Sequence, residues 1–162
     1  DKLSEVNGGK TIKQNDKEFK TPQKSEFIHD EVRDKLQDIG EWLGMKADIE
    51  QRIAAGSKVD TIWEVTIGNM GRAIYVFEVQ TSGSIDSLII NLLKSLNNPA
   101  VQGVVAVSSE KQLEKIKNHA STVKDLGDKL KYWDYKEVLK VHESLEYVNS
   151  CINNLDLVPK GF

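Results

Sequence analysis

Two apolar, β-branched runs flank one glycine-rich turn, and this pattern limits the fold more than any other part of the chain. Residues 59–67 and 73–80 are rich in Val, Ile, Tyr, Trp and Phe, with Gly68-Asn69-Met70-Gly71 between them. Such residues fit a pleated surface, and the turn chemistry joins the two runs as an antiparallel hairpin. Ile74-Tyr75-Val76-Phe77 is apolar at every position, so both faces of the second strand need cover. That marks it as a central strand.

The flanking segments supply the remaining elements. Phe27, Ile28, Val32, Leu36, Ile39 and Leu43 recur at helical spacing, and Gly44 follows as a stop. Residues 46–53 alternate as a half-exposed strand up to the breaker Ala54-Ala55-Gly56-Ser57. After Thr81-Ser82-Gly83 a helix opens at Ser84, an N-cap residue with Asp86 in the first turn, and closes at Asn97-Asn98-Pro99. Residues 103–107 are continuously apolar, as in a strand covered on both faces. A helix is expected over 110–126 and a short strand over 130–133; a last helix, opened by Asp134 and Glu137 in the manner of a capping box, runs to about Asn154. This order predicts an α/β fold with a mixed central sheet flanked by helices on both faces, the crossover from 80 to 104 being right-handed and parallel.

A chain of 162 residues with 39% hydrophobic content can bury one core of ordinary size. Residues 1–24 carry almost no apolar spacing and are expected to form a flexible polar linker or tail, leaving 25–162 as a single domain. The start at Asp1 without methionine suggests an excised C-terminal domain or a processed N-terminus, with another domain preceding it. A net charge of -3 and a pI near 5.7 exclude a broad basic surface, so any contact with nucleic acid must be local. Cys151 has no cysteine partner, no membrane-length apolar run occurs, and no leader pattern opens the chain, so a cytoplasmic setting is expected.

Chemistry enters through the hairpin. A turn centred on Asn69 sets Asp60 directly opposite Glu78, with Cβ atoms about 4.5–5.5 Å apart. Two carboxylates at that spacing repel unless a cation lies between them, and hard oxygen ligands favour magnesium or manganese. A register shifted by half a step would oppose Asp60 to Val79 and separate the carboxylates. Alternation places Gln80 on the face of Glu78, about 6.6 Å further along the strand, where its amide can orient a water.

A helix carrying an acidic residue, then Asp60, then Glu78-Val79-Gln80 at a strand end, then another helix, resembles the PD-(D/E)XK nuclease superfamily over residues 25–110. The resemblance implies a restriction endonuclease-like αβββαβ core and Mg²⁺-dependent hydrolysis of DNA that leaves 5′-phosphate ends. It further implies metal ligands at Asp60, Glu78 and the Val79 carbonyl. The lysine of the family pattern is replaced by Gln80, and Val59 stands where the pattern has proline. Glu31 is the favoured acidic residue of the first helix, with Asp30 and Glu41 as alternatives. Ser82, Ser84 and Ser87 surround a helix N-terminus that could hold a phosphate, and Lys94, about 15 Å along that helix, is too distant to replace the missing lysine.

Other residues read more simply. His29 is expected on the helix surface, and His119 and His142 on polar helix faces, none with a role. Trp63, Tyr75 and Trp133 read as core or rim aromatics. Two other readings remain open: a catalytically degenerate nuclease-fold module that binds DNA or a protein, and a structural domain whose last helix forms a homodimer interface.

Overall fold

The computed structural model describes residues 26–69 and 71–157. The expected polar tail over 1–24 lies outside the described residues. Among the described residues four helices and five strands follow in the order α1 (His29–Trp42), β1 (Lys46–Ala54), β2 (Ser57–Thr66), β3 (Arg72–Val79), α2 (Ile85–Ser95), β4 (Val101–Ser108), α3 (Glu110–Ala120), β5 (Leu130–Asp134) and α4 (Tyr135–Asn154). The strands form one open mixed sheet in sequence order, antiparallel across β1-β2-β3 and parallel across β3-β4-β5. β3 is therefore the central strand, as its unbroken apolar run requires.

Strand alternation divides the core in two. Phe77, Val79 and Val107 pack beneath α1 and α4 with Val32, Leu36, Ile39 and Val138. Ile62, Val76, Val104 and Ala106 pack beneath α2 and α3 with Leu88, Leu92, Leu113 and Ile116. Each fully buried aliphatic side chain contributes about 1.5–3 kcal/mol of transfer free energy, so both helical layers are held chiefly by burial. α1 lies especially close to the sheet at Gly40, where a Cβ would stand 2.4 Å from Cδ1 of Trp63. The Trp63 indole N–H donates to the Leu36 carbonyl at 2.7 Å, which fixes the ring under the helix.

Local signals place the boundaries. Gly44 takes φ +85 just beyond the Leu43 C-cap. Ser84 and Asp134 cap α2 and α4, accepting from the backbone N–H groups of Ser87 and Lys136. Two expectations need correction. The third helix stops at Ala120 and not near 126, because the Ser121 and Thr122 hydroxyls turn back onto the carbonyls of Asn118 and His119. Leu126 is fully buried nonetheless, and its apolar spacing made the loop look helical. His142 does not lie on a polar face: it is buried between α1 and α4, with Nε2 2.9 Å from Oδ2 of Asp38 and its ring against Trp42. Among the described residues no helix is long and apolar enough to cross a membrane.

Candidate functional site

The β2–β3 register runs from Thr66↔Arg72 to Thr61↔Phe77, as expected for a hairpin centred on Asn69. At the next step along the hairpin, Asp60 and Glu78 interlock. The Val79 N–H donates to Oδ2 of Asp60 at 2.7 Å, and the Asp60 N–H donates to Oε1 of Glu78 at 2.9 Å. Each carboxylate thus terminates the ladder on the neighbouring strand. The pair sits at the end of β3, at the edge of the sheet's core, with the Asp60 side chain only 16% exposed.

Partial burial without enough positive charge shapes the electrostatics. Desolvation raises the pKa of Asp60, opposed by the Val79 N–H and by His29. Desolvation and then the Asp60 charge push Glu78 up to about 8, against the Asp60 N–H and the Asn91 amide. Raised this far, Glu78 retains a proton at neutral pH. Two adjacent carboxylates are oxygen donors of the kind a hard divalent ion takes, and here the Val79 and Asp60 N–H groups and His29 already engage them. Among the described residues no three His, Cys, Asp or Glu side chains form a ready-made metal cluster. A site here would draw on the two carboxylates and a main-chain oxygen.

The structure adds three residues that the sequence reading passed over. His29, expected as a surface residue, places Nε2 3.1 Å from Oδ1 of Asp60 and Nδ1 2.9 Å from Oδ1 of Asp30. Burial lowers the imidazole pKa, but the Asp30 hydrogen bond and the Asp60 charge outweigh it, and the net shift is upward. Glu50 occupies β1 across from Asp60, in left-handed backbone at φ 55, with Arg33 Nη1 at 3.0 Å and Lys58 Nζ at 2.8 Å. The same turn rule that pairs Asp60 with Glu78 would have found it, applied to the turn at Ala55. Asn91 reaches from α2, donating to the Lys58 carbonyl at 3.0 Å and lowering the Glu78 pKa. A polar residue between buried Leu88 and Leu92 was its visible signal.

The remaining expected residues lie as follows. Glu31 is exposed on α1 and faces Lys35 at 3.7 Å, so His29 is the α1 side chain that contacts the pair. Gln80 turns its amide onto the following loop, Nε2 donating to the Ser82 carbonyl at 2.9 Å. Its backbone is held by β4, the N–H donating to Val107 O and the carbonyl accepting from the Ser108 hydroxyl. Ser82, Ser84 and Ser87 surround the start of α2, but the Ser84 oxygen accepts from the Ser87 N–H and Asp86 adds a carboxylate to the same turn. That end of the helix has less to offer a phosphate than its serines suggest. The Lys94 ammonium lies 3.7 Å from where a Gly56 Cβ would stand, beside the β1–β2 turn. No protein-family model, curated protein or solved structure matches the chain.

Proposed function

We propose that the protein is a Mg²⁺- or Mn²⁺-dependent phosphodiesterase acting on DNA, with a restriction endonuclease-like core. The observation that carries this reading is the interlocked, partly buried pair of Asp60 and Glu78 at the end of the central strand. Asp60 and Glu78 would hold the ion, together with the Val79 carbonyl, and the bound ion would supply charge neutralisation at the scissile phosphate. Gln80, two residues on, would orient the attacking water once its amide leaves the Ser82 carbonyl. Glu31, exposed in the first turn of α1, would support outer waters of the site only after leaving Lys35. The αβββαβ element order and the mixed sheet support the same reading. The test is cleavage of supercoiled and linear DNA with Mg²⁺ or Mn²⁺. Activity lost in both Asp60→Ala and Glu78→Ala, with folding intact, supports the reading, and cleavage persisting in both overturns it.

One observation favours a second reading, a degenerate module that binds DNA or a protein through the same fold. The position that carries a cation in the family pattern holds a neutral amide already bonded to the loop. Calorimetry with Mg²⁺ and Mn²⁺ separates the two. A domain that binds neither ion yet retains DNA in EDTA belongs to this second class.

A further inference from the structure

On the α1/α4 face of the sheet an open aromatic pocket of about 380 Å³ lies between β2 and β5. It stands on the opposite face of β3 from Glu78. Register explains its shape. Trp63 pairs with Tyr75, Phe77 with Val105, Val105 with Lys131, and Val107 with Trp133, so odd-numbered side chains of four strands share one face. The position beside Tyr75 on β4 is Gly103, and the Tyr75 ring lies over it, Cδ1 3.5 Å from where a Cβ would stand. Gly103 adds no side chain to this face, the Tyr75 ring covers that position, and the pocket opens among the rings beside it.

The walls are mutually crossed. Trp63 and Trp133 meet edge-on at 86° with centroids 6.3 Å apart, and Phe77 is tilted to both. Such rings offer faces and edges to a planar π-system. Among the described residues Lys131 is the sole charged residue in the lining, and no carboxylate lines the pocket with it. That charge disfavours a cationic guest, which a cage of bare aromatic faces would otherwise attract, and favours an anion. The volume suits one flat ring system with a small substituent, not a folded segment.

We infer that this pocket binds a planar aromatic group carrying phosphate, the chemistry of a nucleotide, with the ring among Trp63, Tyr75 and Trp133 and the phosphate at Lys131. The two sources of that chemistry are a free nucleotide and a base in a single strand. The site is separate from the carboxylate pair, and its ligand binds without a divalent ion.

Isothermal calorimetry on the full chain in EDTA tests this with adenosine monophosphate, a short oligothymidylate and decanoate. Saturable binding of the nucleotide or the oligomer is expected, and whichever binds more tightly per site identifies the source. Lys131→Ala, at an exposed position, weakens binding about threefold. Trp133→Leu weakens it about tenfold or more, with circular dichroism reporting the fold. Asp60→Ala with Glu78→Ala leaves it unchanged, so failure of the phosphodiesterase reading does not remove this one. Absence of binding, equal binding in the Lys131 variant, or preference for decanoate overturns the inference.

Discussion

Asp60 and Glu78 each accept a hydrogen bond from the main chain of the other's strand, at 2.7 Å from Val79 and 2.9 Å from Asp60 itself. The carboxylates therefore hold the strand ends together while repelling one another. A proton on Glu78 relieves that repulsion, and so would the divalent ion of the proposed function. Metal affinity is accordingly expected to rise with pH as Glu78 loses its proton near 8, with uptake of the ion releasing a proton. Calorimetry in buffers of different ionisation enthalpy reads the released proton directly. Glu78→Gln should lower affinity about tenfold or more and flatten the pH dependence; affinity independent of pH in the unmodified protein would count against the pair as ligands.

The same pair predicts a stability profile. In the unfolded chain Glu78 titrates near the ordinary 4.5 of a free glutamate, and in the fold it is pushed up to about 8. Between those values the native state holds a proton that the unfolded state has lost, so stability falls as pH rises through this window. Glu78→Gln removes the penalty. The variant is expected to be more stable than the parent above pH 8, by on the order of 1–3 kcal/mol, and equal to it at pH 4. Urea titrations across pH measure both, and a variant less stable at pH 9 contradicts the account.

His29 should titrate above 6.5, because Asp30 and Asp60 stabilise its charged form more than burial penalises it. Its contribution to stability is then present below the unfolded value and lost as pH rises through the folded one. Following the imidazole resonances by NMR gives the midpoint. In Asp60→Asn that midpoint should fall, and an unmoved midpoint would mean that the 3.1 Å contact is not maintained in solution.

Gly40 tests the packing of α1. A methyl group there would overlap Cδ1 of Trp63 at 2.4 Å and Cβ of Ala47 at 2.9 Å, and the indole is held by its bond to Leu36. Gly40→Ala is expected to destabilise the fold by about 2 kcal/mol, although alanine is the better helix former. Thermal denaturation of the single variant and of Gly40→Ala with Trp63→Phe distinguishes a clash from a backbone effect, since the smaller ring should recover part of the loss.

Much of this arrangement follows from short-range rules. Two-residue alternation and a turn centred on Asn69 were enough to oppose Asp60 to Glu78, because hairpin register depends on local geometry. His29 was not legible in the same way. Its contact with Asp60 joins residues 31 positions apart and depends on how the first turn of α1 settles on the sheet, which no local period encodes. The α3 boundary was misplaced because buried Leu126 prolongs the apolar spacing after the Ser121 and Thr122 hydroxyls have already ended the helix. Gln80, expected within its strand, lies one residue past the end of β3 with its N–H still bonded to Val107, and its side chain bonds the Ser82 carbonyl, a choice of rotamer that position alone does not fix.

Gln80 also gives the sharpest test of catalysis. A neutral amide can orient water, yet it adds no positive charge where charge develops on a phosphate in the transition state. Gln80→Lys would add that charge at a half-buried position whose backbone is already fixed by Val107 and Ser108, so the fold should accept it. If Asp60 and Glu78 form a working metal site, the variant should cleave DNA about tenfold faster or more than the parent at saturating Mg²⁺. Its metal affinity should fall slightly, because the ammonium competes with the ion for the carboxylates. A variant that binds Mg²⁺ but gains no cleavage would favour the binding-module reading over the phosphodiesterase.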